Sequence, residues 1–412
     1  MANRIYFANQ QISFRRDAGT SWTAAHGVQS AAVTTTFKLE QAFELGQLAI
    51  YENIEGVPDI EISLSKVLDG YPLLYHLATD ETGTANRSPS IAGRSNAKCV
   101  VGLGIWPDTV DSADATAASQ QMEASGMFAS SLSYNFPLED NFSEDLTIVG
   151  NNKAWYKDTN DFVDCDNPTW DPENQAGSFA GNADTPKATG ANFPWTPALQ
   201  SVDQNGGVNR RENIYFSSLE YETTEPTSGF DFTRLPTEIP GISTGGWMNT
   251  SNSTNTAHIQ SITVSTDLGR EELFELGTRQ PYARVVTFPI EVTCDIEMLS
   301  LSGDMIQALA DGCTSSTDQC TGQVDNLSAQ VIRIATCEGT RLYLGNKNKL
   351  ASVNYGGGDA GGGNVTVTYS YSTFNDLTVM HPQDPNSSGS GWWNARSGYL
   401  QTLNSDGQLV AG

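Results

Sequence analysis

Positive charge is what this sequence is shortest of. Lys and Arg number 22 against 48 Asp and Glu, giving a formal net charge of -26 over 412 residues. A phosphate backbone is held by Lys and Arg, so this balance argues against a nucleic-acid-binding surface. A surface past which a polyanion moves without sticking is compatible with it. Long apolar runs are missing too: no window reaches the roughly 18 continuous apolar residues of a membrane helix, so no membrane insertion is expected. The opening segment M-A-N-R-I-Y-F-A-N-Q-Q lacks a basic stretch followed by an apolar one, so the expectation is synthesis and assembly in a cytoplasm.

Cysteine is sparse. Cys99, Cys165, Cys294, Cys313, Cys320 and Cys337 contain no C-x-x-C pair and are too few for a disulfide framework. Free thiols are expected, with pairing of Cys313 and Cys320 across a short polar loop as the alternative. The histidines, His26, His76, His258 and His381, show no ligand spacing, so no metal and no cofactor are expected. The glycine runs lack the G-K-[ST] ending of a phosphate loop. The acidic segment Asp158, Asp161, Asp164, Asp166 and Asp171 lacks the glycine and terminal glutamate of a calcium loop and reads as solvated. Carboxylate pairs beside aromatics carry no signal in a chain with 48 acids, and no catalytic residue is expected.

What remains is a strand-rich chain. Hydrophobic residues make up 38%, enough for a large core, and Gly, Ser, Thr, Asn and Asp supply turns. From Ile290 to Met298 the pattern alternates: Ile290, Val292, Cys294, Ile296 and Met298 on one side, Glu291, Thr293, Asp295 and Glu297 on the other. That is a strand with one packed and one wet face. A short helix is expected over Met305–Ala310.

The chain also repeats itself. N-R-I-Y-F (Asn3 to Phe7) returns as E-N-I-Y-F (Glu212 to Phe216), and His26-x-Val28-Gln29-Ser30 as His258-Ile259-Gln260-Ser261. V-T-T-T-F-K-L-E-Q-A-F-E-L-G (Val33 to Gly46) aligns without a gap to V-S-T-D-L-G-R-E-E-L-F-E-L-G (Val264 to Gly277). Pro58 matches Pro289, I-E-I-S-L (Ile60 to Leu64) matches I-E-V-T-C (Ile290 to Cys294), and Tyr71 to Asp80 matches Asp304 to Asp311. Farther on, Ser131 to Val149 matches Thr366 to Val379. The expectation is a tandem duplication: a first domain over 1–150, an irregular insertion or arm over 151–207, a second domain over 208–385 that duplicates the first, and a tail over 386–412. Each domain is expected to be a mainly β, sandwich or barrel-like unit with a short flanking helix.

With the F-E-L-G turn, the P-x-I-E strand and the short helix in this order, the chain resembles the tail tube proteins of long-tailed bacteriophages. It is most similar to the type in which two tube domains are fused. The resemblance implies that three chains form a pseudo-hexameric ring and that strands of each domain contribute to an intersubunit β-barrel. Rings then stack into a tube whose acidic lumen conducts DNA without binding it specifically. It further implies contacts with tape measure, tail terminator and distal tail proteins, and a place in the virion. Glu61, Glu291, Asp295 and Glu297 become lumen candidates. Phe43, Glu44, Leu45, Gly46 and Phe274, Glu275, Leu276, Gly277 become candidates for turns or ring contacts. A non-enzymatic role follows from the resemblance as well. The alternatives are a fibre or adhesin that binds cell-surface glycans, and a secreted glycan-active enzyme. The enzyme is disfavoured by the opening segment and by the absence of a matched site in both repeats.

Overall fold

Period-two alternation of apolar residues dictates what the chain becomes. The computed structural model describes residues 5, 7–17, 22–46, 48, 50–80, 90–105, 120–157, 208–217, 239–242, 257–300, 303, 304, 306, 329–336, 338–356, 363–381 and 384. Within these the fold is mainly β, its strand pairs are antiparallel, and no sheet closes into a barrel.

The first half runs β1 (Gln10–Arg16), β2 (Trp22–Ala24), β3 (Val28–Thr36), β4 (Leu39–Phe43), β5 (Ile50–Glu55), β6 (Asp59–Val67), α1 (Leu74–Ala78), α2 (Ile91–Arg94), β7 (Cys99–Ile105), β8 (Gln120–Pro137), β9 (Ser143–Gly150) and β10 (Asn152–Lys157). The second runs β11 (Ile214–Ser217), β12 (His258–Asp267), β13 (Arg270–Leu273), β14 (Ala283–Val286), β15 (Glu291–Leu299), β16 (Arg333–Thr336), β17 (Arg341–Tyr343), β18 (Lys349–Gly356), β19 (Thr366–Phe374) and β20 (Thr378–Met380).

One strand order occurs twice. In the first half, β3, β6, β9 and the C-terminal part of β8 lie side by side; in the second, β12, β15, β19 and β18 do. The N-terminal part of β8 pairs with β7 and β10, as β17 pairs with β16 and β20. A separate hairpin stands between the first two central strands of each half, β4 with β5 and β13 with β14. The long strand β8 is thus split into β17 and β18 in the second half. The bend sits at Gly126 (φ 62°) in one case and Gly345 (φ 77°) in the other, both in the left-handed region that glycine adopts without steric cost.

This topology revises three correspondences read from the letters. Ser131 to Phe136 lies in β8 and takes the position of β18, while β9 takes that of β19, so the last matched block moves by one strand. The register moves as well. Val33 faces Ile62 and Val264 faces Cys294, so Ile62 and Cys294 are equivalent, two residues off the I-E-I-S-L alignment. Asn152–Lys157 is a strand on β8 and extends the first half beyond residue 150. Phe7 stands exposed in a 3-10 turn whereas Phe216 is a buried strand residue, so the shared I-Y-F segments mark different places.

The halves are joined edge to edge. β8 pairs with β12 from Ser131–Asp267 to Pro137–Ser261, which makes a continuous run β3-β6-β9-β8-β12-β15-β19-β18. Its inner face carries the alternating core: Ile60, Ile62 and Leu64; Leu146 and Ile148; Leu132, Tyr134 and Phe136; Ile262 and Val264; Val292, Cys294, Ile296 and Met298; Val367, Tyr369 and Tyr371. Burying a side chain of this size stabilises by about 1.5–3 kcal/mol, which fixes the register of the central strands. Cys294 is a buried free thiol as expected, and Cys99 is another. The helix expected over Met305–Ala310 falls largely outside the described residues, as do Cys165, Cys313, Cys320, Cys337, the acidic segment 158–171, the rest of the insertion to residue 207 and the tail 386–412.

Candidate functional site: the carboxylate face of the central sheet

Because neighbours across a sheet point the same way, the pairing register writes out the outer face row by row. One row reads Ser30, Ser65, Asp145, Ser133, Ser265, Thr293, Ser372, Lys349. Another reads Val67, Ser143, Asn135, Thr263, Asp295, Ser370, Ser352. Serine, threonine and asparagine make most of this surface. The carboxylates on it are Asp59, Glu61, Asp145, Asp267, Glu291, Asp295 and Glu297, and among the described residues Lys349 is its cation.

The predicted lumen candidates all lie on this face, spread rather than clustered. Glu61 sits between Thr34 and Val149, Asp295 between Thr263 and Ser370, and Glu297 between Ser261 and Thr368; Glu291 stands beside Phe374 at the strand end. Their partners are neutral donors. Ser372 Oγ donates to Glu291 at 2.8 Å, Ser261 Oγ to Glu297 at 3.2 Å, and Asn135 Nδ2 to Asp145 at 2.6 Å. Neutral donors hold a carboxylate in place and leave its charge uncancelled, so the face stays negative. A depression on the seam between the halves is lined by Ser133, Asp145, Thr147, Ser265, Asp267 and Glu291. Asp145 and Asp267 were not singled out in the sequence. The alternating E-D-L-T-I-V pattern of β9 places Asp145 outward, but only the pairing shows that the β9 and β15 rows belong to one surface.

The corrected register also shows that the halves differ in charge. Ser63 and Ser65 stand where Asp295 and Glu297 stand, and Glu61 stands where Thr293 does. The acids therefore lie at different heights along the two sets of strands.

Behind the sheet several polar groups are engaged with one another or with the backbone. Glu144, on the inner side of β9, accepts the N–H groups of Leu74 (2.6 Å) and Tyr75 (3.0 Å) at the start of α1, and the Tyr134 hydroxyl at 3.0 Å. Burial pushes its pKa up to about 7 against the pull of those donors and of Lys66. Lys66 itself is buried and paired with Asp69. His26 stacks on Tyr71 with ring centres 4.2 Å apart, while His258, its match in the letters, is exposed; the pair marks no shared site. Burial holds His76 well below the ordinary imidazole range, and its Nε2 bonds the Val379 carbonyl at 3.1 Å. Among the described residues no group of His, Cys, Asp and Glu is placed to hold a metal ion.

The F-E-L-G segments are turns at the ends of the two hairpins. Gly46 (φ 96°) and Gly277 (φ 95°) share the left-handed backbone, and Leu45 and Leu276 are fully exposed, at 103% and 104%. Phe43 and Phe274 are exposed beside them. The second hairpin lies along the first half. Arg270 Nε donates to the Ala129 carbonyl at 2.7 Å and stands over the Phe128 ring at 5.1 Å. Lys38 joins Asp59 (2.8 Å) and Glu272 (3.4 Å), Arg284 pairs with Glu272, and Asn151 Nδ2 donates to Glu272 at 3.2 Å.

No protein-family model matches the chain, and no curated protein does. Partial similarity is found to several solved structures. These include the tube-terminating cap of the anti-feeding prophage (10% identity, TM-score 0.27, 38% of this chain and 94% of that chain) and its six-fold symmetrised baseplate (8%, 0.29, 38% and 98%). A third is the sheath/tube terminator of an extracellular contractile injection system in its extended state (12%, 0.27, 37% and 96%). Superpositions this loose carry no inference about function.

Proposed function

We propose that the chain is a structural tube protein of a phage-type tail. Three copies form a pseudo-hexameric ring, and stacked rings make a tube whose acidic lumen conducts DNA during ejection. The observation that carries this reading is the internal β8–β12 joint. It uses the inner edge of each half and leaves β3 and β18 as the outer edges of an eight-strand run. Such head-to-tail contacts close into rings, and closure removes the open edges. On this reading the Asp145, Glu291, Asp295 and Glu297 face lines the channel. Its carboxylates repel phosphate, and Lys349 is the cation on its described surface that could hold a passing duplex.

The role is structural rather than catalytic. Its partners are other copies of the chain and the tape measure, terminator and distal tail proteins at the tube ends. Assembly takes place in the host cytoplasm, and the product resides in the virion. The F-E-L-G hairpin tips, with apolar side chains held out in solvent, suit contacts between successive rings. A glycan-binding fibre or adhesin is the alternative; the insertion over 151–207, with Trp155, Trp170 and Trp195, would carry its site, and most of it lies outside the described residues.

Reversing the face tests the reading. Tails built with Glu291→Lys, Asp295→Lys and Glu297→Lys are expected to assemble and to eject DNA slowly, because the new cations bind phosphate. Unchanged ejection would put this face somewhere other than the channel.

A further inference from the structure

Among the described residues, the joint inside the molecule has an unpaired counterpart at each outer end, β3 and β18, and the two ends are chemically matched. Leu268, at the close of β12, is fully buried and donates its N–H to the Ser130 carbonyl at 2.8 Å. Counting from Val33 and Val264, its equivalent in the first half is Phe37, which is 69% exposed. The same count places Leu39 where Arg270 stands and Gln41 where Glu272 stands. On the receiving side, the β9 and β19 registers put Phe374, 53% exposed, in the position of Asn151; the β8 and β18 registers put Lys349 in that of Phe128. Exposed apolar groups thus collect at two opposite ends: Phe37, Leu39 and Ile54 at one, Tyr355 and Phe374 at the other. Patches of this kind on a folded chain mark interaction surfaces.

We infer that these ends are the two sides of one contact between copies of this chain. The β3 edge and the β4–β5 hairpin of one molecule dock on the β18 edge and Phe374 of a second. The β8–β12 pairing sets the register. Ser133 is equivalent to Asn354 and Ser265 to Thr34, so Ser133 facing Ser265 becomes Asn354 facing Thr34, with Tyr355 facing Val33. The irregularity between Ala129 and Ser131 of β8 recurs between Leu350 and Ser352 of β18, which keeps the two edges in step. The contact rests on the ring reading but differs in kind from the joint it copies. Inside the molecule the hairpin is held by Arg270, Glu272 and Arg284 against Lys38, Asp59 and Asn151. Between molecules Leu39, Gln41 and Asn53 take the places of the first three, and Phe374 meets them. Apolar side chains therefore replace the ion pairs at the centre of the contact, with Lys349 and Glu291 flanking them on the receiving end.

Leu39→Asp and Phe374→Asp each place a charge at an exposed position on one end only. Sedimentation of either variant alone should show self-association weakened roughly tenfold or more, because a carboxylate taken into an apolar contact without a partner is costly. An equimolar mixture should form the heterodimer, since each variant keeps the end the other has lost. In a second experiment, Thr34→Cys with Asn354→Cys should form an intermolecular disulfide, and Thr34→Cys with Ser352→Cys should not. Variants that assemble like wild type, a mixture that stays monomeric, or cross-linking in the shifted pair would each overturn the contact. Tubes lacking the Thr34–Asn354 cross-link would remove the contact and leave the tube. Cross-linked oligomers that never stack would remove the tube and leave the contact.

Discussion

Arg94 and Asp384 lie 290 residues apart in sequence and meet in an interior where neither side chain is exposed. Arg94 closes α2 in the first half and also donates to Thr79 at 3.1 Å; Asp384 follows the last strand of the second half. Nearby, the Ile91 N–H donates to the Leu377 carbonyl at 2.7 Å. The first half therefore grips the second through a buried charge pair as well as through β8 and β12.

Removing one partner of that pair leaves the other charge buried and uncompensated. Asp384→Ala is expected to lower the unfolding free energy by about 3–5 kcal/mol. Urea titration followed by tryptophan fluorescence measures it, and a loss within error of zero would show that the pair is hydrated.

Glu144 gives stability a pH dependence of unusual sign for a carboxylate. Its folded pKa, about 7, lies above its ordinary value of 4.5, so the folded state binds the proton more tightly than the unfolded state does. The stability it contributes is fully present below 4.5 and is lost as pH rises through 7, by about 3 kcal/mol in all at 1.36 kcal/mol per unit. Comparing wild type with Glu144→Gln across this range isolates the effect. Wild-type stability should fall relative to the variant as pH rises, and a constant difference would place the carboxyl in contact with water.

The glycines that bend β8 and its split counterpart should respond differently to a methyl group. Both have positive φ, but a Cβ on Gly126 meets nothing within 4 Å, whereas one on Gly345 would lie 2.7 Å from the Asp376 Cβ. Gly126→Ala is expected to cost about 1–2 kcal/mol from backbone conformation alone. Gly345→Ala adds a clash and should cost about 1–3 kcal/mol more. Thermal melts of the two variants check the order, and equal losses would mean that the bends are not built alike.

The sequence made the local pattern visible and left the long-range pairing hidden. Ile290 to Met298 shows its buried and wet sides in the letters because a half-buried strand alternates. Gly46 and Gly277 mark turns because few other residues accept their backbone. The strand Lys349–Gly356 escaped detection: it lies at an open edge where side chains on both faces reach solvent, so its letters do not alternate. The hairpin Leu39–Glu55 is exposed along nearly its whole length and carries no burial signal either. The two-residue register slip has a related cause. I-E repeats in β6 and β15, but register is set by the partner strands Val28–Thr36 and His258–Asp267, which the local letters do not encode. The β8–β12 joint links Ser131 to Asp267, and no local periodicity announces a contact over that span.

Electron microscopy of the purified chain at raised concentration bears most directly on the central claim. The account predicts stacked rings, each built from three chains with six similar lobes around an open channel, and the Glu291–Asp295–Glu297 face turned inward. Dispersed monomers, or rings with this face on the outside, would contradict it.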